Sequence, residues 1–524
     1  MSNTVLNQQS AQQKLSANTN DTPHLRPTLH FTPAKNWLND PNGLFYLDGT
    51  YHLFFQYNPT GDQWGNMHWG HATSQDLITW QEQPIALYPE PEGLGYVFSG
   101  GAVVDWHNTS GLGNTSNPPV IATFTHNDQH DVQRQSIAYS LDKGDTWKMY
   151  ANNPVLDNPG IADFRDPKVV WYEANQCWIM ALAVHQKIYF YRSDDLLSWQ
   201  FLSEFSAAQN HTKQTAHGSK MGVWECPDLF PLQVNETCAM AKISGMNETR
   251  ELKEHRWVLI VSVQDGAPNQ GSGSQYFIGH FDGTKFTAHH QNTLWLDYGC
   301  DNYAGISFDN TPNILEKRIM IAWMANHQYA KHTPTSPWRT GMTLAREVTL
   351  VNTQHGLRLR QQPILPVGES VAIHHSIAPC TYALNTSAAY QAHRLVYTIN
   401  NLKQKAELKI SNSQNEYLVL KYCPTQQNIT VDRSHSGWQH SQLPTQISAP
   451  LCFTQNSNTP NASNPNCTNS GVTIVVIIDN NGIEVFAENG LTTLTVTSYP
   501  NAQYQFIHCQ DNIRITSLER LPVT

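Results

Sequence analysis

The feature that most limits how this chain can fold is a local pattern that returns along it. Ser74-Gln75-Asp76-Leu77-Ile78-Thr79-Trp80 is echoed by Ser193-Asp194-Asp195-Leu196-Leu197-Ser198-Trp199, each after a strand-like run. A looser copy joins Ser140 to Asp142-Lys143-Gly144-Asp145-Thr146-Trp147, and Phe277 to His280 followed by Asp282-Gly283-Thr284-Lys285-Phe286 resembles a fourth. Strand, acidic turn and strand at intervals of roughly fifty to sixty residues is the pattern of β-propeller blades, each a four-stranded sheet that buries its faces against its neighbours. About five such blades fit between residues 25 and 350. The aspartates and tryptophans of the echoes are then turn and packing residues. Almost nothing from Leu25 to Leu350 carries a helical period, so the expected class is all-β.

Beyond Gln362-Pro363-Ile364-Leu365-Pro366 the texture changes to alternating strands with fewer tryptophans, such as Glu407 to Ile410, Glu416 to Tyr422 and Val472 to Asp479. This predicts a β-sandwich over 367–524, joined by a linker over 351–366 to a propeller over 25–350. Residues 1–24, rich in Asn, Gln and Ser, are expected to be a disordered tail. Thr237 to His255 and Thr454 to Ser470 read as surface insertions.

Composition narrows the partners. Forty-two acidic against 32 basic residues leave a formal charge of -10 with no basic cluster, which argues against nucleic acid and for a neutral or weakly charged ligand. The longest aliphatic stretch, Ile474 to Ile478, is far short of the roughly 20 residues that span a bilayer, so no membrane segment is expected. Nine cysteines without CxxC spacing or paired histidines indicate neither a zinc site nor a disulfide framework. The opening residues do not read as a secretory signal, so the expected location is the cytoplasm, and sequons such as Asn108-Thr109-Ser110 matter only if the protein is secreted.

Three acidic motifs carry the chemistry: Asn36-Trp37-Leu38-Asn39-Asp40-Pro41-Asn42-Gly43, Arg165-Asp166-Pro167 and Trp224-Glu225-Cys226-Pro227-Asp228. Asn-Asp-Pro-Asn-Gly is a dense turn signal, read here as a turn before a strand-like run from Leu44 to Tyr57. Three carboxylates on stiff proline-containing turns near tryptophans suggest rigidly aimed acids beside a flat polar ligand.

Together with Phe98-Ser99-Gly100 and Phe164-Arg165-Asp166-Pro167-Lys168, these blocks resemble, in order, those of glycoside hydrolase family 32, the invertases, levanases, inulinases and fructan exohydrolases. The resemblance is dense over residues 28 to 350 and continues into Ile477 to Phe486. It implies a five-bladed propeller followed by a C-terminal β-sandwich and a retaining mechanism on β-fructofuranosides. Asp40 matches the nucleophile, Glu225 the general acid/base and Asp166 the carboxylate that stabilises the transition state. Retaining enzymes place nucleophile and acid about 5 to 5.5 Å apart. Glu225 is expected to have a raised pKa and Asp40 to stay ionised. Asn39, Gln56, Trp64, Phe98, Ser99, Arg165 and Trp323 match positions lining the fructose pocket. Blade packing is the alternative for Trp64 and Trp323, and an ion pair with Asp166 the alternative or additional role for Arg165.

The resemblance implies hydrolysis of sucrose, with exo-acting levan or inulin hydrolysis and fructosyl transfer as variants that use the same residues. A sucrose- or fructan-binding protein without turnover is the alternative of another class. The two-step displacement calls for neither metal nor organic cofactor. The sandwich is expected to brace the propeller or to pair subunits. Three departures from the family pattern, Asn302 and His327 in place of aromatics and Ala345 in place of proline, bear on the leaving group more than on the chemistry.

Overall fold

Each echo of the repeated pattern is the turn between the third and fourth strands of a four-stranded sheet. The computed structural model describes residues 21–206, 222–235, 254–290, 292–373, 379–384, 386–387, 389–451 and 471–524. In it the Ser74 hydroxyl accepts the Leu77 N–H at 2.8 Å, while Asp76 Oδ1 accepts those of Ile78 and Thr79 at 2.8 and 2.7 Å. Ser193 and Asp195 repeat this arrangement on Leu196, Leu197 and Ser198. Short polar side chains thus satisfy the backbone of a tight turn, and the leucine within it is buried.

Five sheets follow in chain order. The first contains Asn36–Leu47, Thr50–Asn58, His68–Ser74 and Gln81–Leu87. The second contains Tyr96–Val104, Val120–Asn127, Gln133–Ser140 and Lys148–Met149. The third contains Phe164–Tyr172, Cys177–Val184, Lys187–Ser193 and Gln200–Ser206. The fourth contains Trp224–Asn235, His255–Val263, Gly273–Phe281 and Phe286–Ala288. The fifth contains Tyr303–Ser307, Arg318–Trp323, Arg346–Thr353 and Gly356–Pro363. Their first strands lie side by side in a ring, the last against the first, so the sheets radiate as blades around one axis. Closure is reinforced by Trp338–Arg339, which pairs in parallel with Asn36 and Trp37.

Three expectations need correction. The Asn-Asp-Pro-Asn-Gly segment does not turn the chain: it lies within the strand Asn36–Leu47, and the turn falls at Asp48-Gly49, splitting the run from Leu44 to Tyr57 between two strands. Arg165-Asp166-Pro167 and Glu225-Cys226-Pro227 likewise lie inside strands. Residues 351–363, expected within a linker, are blade: Arg346–Thr353 folds back on Gly356–Pro363 in unbroken antiparallel register, with Gly356 at φ +89° supplying the turn. The tail over 1–20 and nearly all of the two insertions lie outside the described residues; Asp21 to His24 are described, with a single 3-10 turn at Pro23–Leu25.

Among the described residues, the C-terminal domain is a sandwich of two six-stranded sheets. Leu395, Tyr397, Leu408, Ile410, Leu420, Val431, Val476, Ile483 and Val485 fill the space between them. Strand alternation has a second consequence on Gly482–Ala487. Ile483 and Val485 enter that core, so Glu484 between them faces the propeller, where it accepts two bonds from Arg346 at 3.1 and 2.8 Å. Arg346 also reaches Asp297 at 2.9 Å, and His30 bridges Asp479 and Glu484 at 2.8 and 3.1 Å. All of these side chains are buried. Buried ion pairs add little net stability because desolvation offsets their attraction, but removing one partner strands a charge at about 3–5 kcal/mol. The interface therefore fixes how the sandwich sits on the propeller.

Candidate active site

Every one of the ten predicted site residues lines a single cavity of about 460 Å³. That volume is within the range of roughly 300–1,000 Å³ usual for small-molecule sites. Asp40, Ser99, Arg165 and Glu225 all lie near the beginning of a first strand, so the cavity occupies one end of the ring.

The local geometry that aims these side chains is the same in every blade. Strand register slips between Leu38 and Pro41, Val97 and Gly100, Arg165 and Lys168, Glu225 and Asp228, and Tyr303 and Ile306. Each slip is a β-bulge, which bends the strand and re-aims a side chain that a regular ladder would send into a blade face. Pro167 and Pro227 fall inside bulges, where a missing N–H forfeits no ladder bond. Asp166, Cys226 and Ala304 adopt φ of +63°, +45° and +52°. Left-handed conformations outside glycine cost of order 1–3 kcal/mol each, and these three sit at the bulges where the carboxylates converge.

Asp40 is buried; its Oδ2 accepts the Ser99 hydroxyl at 2.8 Å, while Oδ1 has no hydrogen-bond partner among the described residues. Asp166 comes from the third blade, with Oδ2 accepting the Cys226 N–H at 3.0 Å. The Cys226 thiol stands 3.6 Å from both Asp40 Oδ2 and Asp166 Oδ2, so one sulfur separates the two acids. Glu225 is the best solvated by protein groups: Oε1 accepts Arg165 Nε and Nη2 at 3.1 and 2.9 Å and Gln264 Nε2 at 2.9 Å, and Oε2 accepts the Tyr303 hydroxyl at 2.5 Å.

These contacts divide the protons. Burial raises the pKa of Glu225, but Arg165, His327 and the Tyr303 hydrogen bond together outweigh it and hold the group below the ordinary carboxylate value. Burial and the charge of Glu225 push Asp166 up to about 7, against the attraction of Arg165. Burial and Glu225 also raise Asp40, with Ser99 and Asn39 partly compensating. The expectation of a raised Glu225 is thus reversed in direction, and Asp40, expected to stay ionised, is raised. The reason is Arg165, whose hydrogen bonds go to Glu225 and Asp163 rather than to Asp166.

The remaining residues have double duties. Trp323 is buried, donates its indole N–H to Thr340 at 2.9 Å and still lines the cavity. Trp64 is 55% exposed and meets Phe98 edge-on, so packing within the blade does not account for it. Asn39 accepts the Trp37 indole N–H at 2.7 Å. Gln56 reaches Asn42 at 3.4 Å, and Asn42 accepts the Gly100 N–H at 3.0 Å, stitching the first blade to the second. Below the site, Lys168 donates to the Ser307 carbonyl at 2.9 Å and Asp228 accepts the Ser307 N–H at 2.7 Å, joining three blades. Sequence reasoning missed Tyr303 and Gln264 as partners of Glu225. Tyr303 directly follows Asn302, a departure from the family pattern, and so had a signal; Gln264 had none.

Comparison with known proteins agrees with this geometry. Residues 30–363 match the glycosyl hydrolases family 32 N-terminal domain and residues 364–521 the family 32 C-terminal domain. The chain is 39% identical over 487 residues to a levanase of Bacillus subtilis, covering 91% of this chain and 66% of that protein, just under two thirds of its length. The crystal structure of an exo-inulinase from Aspergillus awamori superposes with a TM-score of 0.79 at 32% identity, covering 96% of this chain and 99% of that one. A fructofuranosidase from Schwanniomyces occidentalis complexed with fructose gives 0.80 at 30% identity, covering 97% and 100%. With both domains matched and the blades, bulges and acids in place, this chain belongs to glycoside hydrolase family 32, as an enzyme of the β-fructofuranosidase type acting on fructosides.

Proposed function

We propose that the protein is a retaining, exo-acting β-fructofuranosidase that hydrolyses the terminal fructosyl bond of sucrose. The observation that carries this reading is the convergence of Asp40, Asp166 and Glu225 from three blades on one cavity, with Asp40 Oδ1 lacking a hydrogen-bond partner among the described residues. In the first step Asp40 Oδ1 attacks C2 of the fructosyl unit and the bond from C2 to the leaving oxygen breaks. Glu225 delivers the proton that oxygen needs. In the second, Glu225 takes a proton from water, whose oxygen attacks C2 and frees Asp40.

Burial and the charge of Glu225 favour a proton on Asp166 over one on Glu225. Fructose hydroxyls donating to Asp166 stabilise its carboxylate, and exclusion of water by substrate disfavours charge on Glu225; both move the proton to where it is used. Hydrogen bonds to Asp166 that strengthen as the ring flattens toward an oxocarbenium ion supply binding energy in the transition state.

Release of fructose from levan or inulin ends is the second reading, favoured by the likeness to a levanase and an exo-inulinase. The test is a time course of free glucose and fructose from sucrose, levan and inulin in separate reactions. Equal glucose and fructose from sucrose with slower release from the polymers supports the first reading, and faster release from a polymer the second. Glucose in excess of fructose would mean transfer to a sugar acceptor. No sugar from any of the three would overturn hydrolysis and leave a binding protein.

A further inference from the structure

His327 lies at the rim of the cavity, in the turn that follows Trp323, and none of the steps above uses it. Its imidazole is packed edge-on against Tyr303 and Trp323, with ring centroids 4.6 and 5.3 Å away, so the ring orientation is fixed although 38% of the side chain is exposed. The turn is pinned from three directions. The His327 N–H donates to Ser272 at 3.1 Å, Asn326 donates to the Cys300 carbonyl at 2.8 Å, and the Tyr329 hydroxyl bonds Asp301. Asp301 and Tyr329 are in turn held by Arg433, a fully buried arginine of the sandwich, at 2.9 and 3.1 Å. These contacts hold the turn that carries His327, and the two aromatic rings hold its imidazole.

The two oxygens of Glu225 differ. Oε1 already accepts three N–H groups, from Arg165 and Gln264, whereas among the described residues Oε2 accepts only the Tyr303 hydroxyl. Proton delivery to a leaving oxygen is therefore open at Oε2. That oxygen faces His327, whose Nε2 is 3.8 Å away. This separation is beyond hydrogen-bond range, but an oxygen between the two groups bonds both at ordinary lengths.

Building on the proposed hydrolysis, we propose that His327 hydrogen-bonds a hydroxyl of the leaving sugar as the glycosidic oxygen departs at Glu225 Oε2, and so determines how strongly the enzyme prefers hydroxylated leaving groups. The fructosyl unit itself is held elsewhere, by the side of the cavity that carries Asp40 and Asp166. An aromatic side chain at this position would offer a flat face instead of a directed donor or acceptor.

The experiment compares His327→Phe and His327→Asn with the unaltered protein on two substrates that share the fructosyl unit, sucrose and p-nitrophenyl β-D-fructofuranoside, and measures inhibition by free fructose. The expected result for His327→Phe is a ratio of kcat/KM on sucrose to kcat/KM on the aryl fructoside lower by about tenfold, the equivalent of one hydrogen bond, beyond any fall common to both substrates from losing its charge beside Glu225. Inhibition by fructose stays the same, and His327→Asn recovers part of the loss. An unchanged ratio, whether both substrates fall in parallel with a displaced pH profile or neither changes, would show that His327 acts at most through Glu225 and would overturn the leaving-group role. Failure of the unaltered protein to release fructose from both substrates would remove the hydrolase reading as well, an outcome distinct from intact hydrolysis with unchanged selectivity.

Discussion

Arg165 directs two N–H groups at a single oxygen of Glu225, with Nε at 3.1 Å and Nη2 at 2.9 Å from Oε1. This relationship organises the site. It favours the ionised form of Glu225, whose charge in turn raises Asp166, and leaves Oε2 as the oxygen from which a proton is given. Asp163 holds the third guanidinium nitrogen at 2.6 Å, so Arg165 keeps a counter-charge even if Glu225 is neutralised.

That second counter-charge makes Glu225→Gln a clean variant. The amide has the volume of the acid, Gln264 and Tyr303 are able to reorient toward it, and the domain need not unfold. Proton transfer by a positioned side chain contributes typically 10²–10⁴-fold, so fructose release from sucrose should fall by about that factor. Thermal melting should move by only a few degrees. Full activity in this variant would refute the assignment of Glu225.

Ser99 supplies the opposite influence on Asp40. Its hydroxyl donates to Oδ2 at 2.8 Å and helps hold the carboxylate in its ionised form against burial and Glu225. Loss of a hydrogen bond to an ionised group costs about 1.5–3 kcal/mol. In Ser99→Ala the Asp40 pKa rises further, so kcat/KM drops by roughly tenfold or more and its acid limb moves to higher pH. The pH profile separates this from a packing defect, which would lower the rate without displacing the limb.

The blades were legible because their turns are local. Ser74 and Asp76 satisfy backbone groups within five residues of themselves, and a signal confined to one segment survives in the sequence. The identities of the acids were legible for the same reason, since each carries its proline and its tryptophan with it. What could not be read is set by neighbours distant in the chain. Asp40-Pro41-Asn42-Gly43 has the composition of a turn, but pairing with Thr50–Asn58 draws it into a bulged strand. The protonation of Glu225 depends on Arg165, sixty residues away, and on Tyr303, seventy-eight away. Likewise Glu484 reads as one more polar residue in an alternating strand until Arg346 is placed against it.

Cys226 touches both Asp40 and Asp166 through its sulfur, a position that invites the idea of a reactive thiol. The physics points the other way. Burial and the surrounding carboxylates push the thiol well above its ordinary pKa, and only the thiolate is nucleophilic. The protein should keep its activity after prolonged exposure to iodoacetamide at pH 8, with Cys226 found unmodified by peptide mass analysis. Rapid inactivation that free fructose prevents would contradict this.

His30 makes the junction between the domains sensitive to alkaline pH. Burial lowers its pKa, but hydrogen bonds and charges from Asp479 and Glu484 more than reverse this and raise it to about 9. In the unfolded chain the group returns to an ordinary value near 6.5. The charged imidazole therefore contributes its full stabilisation below about pH 6.5, and this fades as pH rises through 9, because the folded state must then give up a proton that the unfolded state has already lost. A shift of that size corresponds to roughly 3 kcal/mol. Melting temperature measured from pH 6 to pH 10 should decline most steeply between about 7 and 9. In His30→Gln that slope should flatten, from a lower starting value, since the glutamine hydrogen-bonds one carboxylate but leaves Asp479 and Glu484 without the cation between them. An unchanged slope in the variant would mean that the alkaline loss of stability arises at another group.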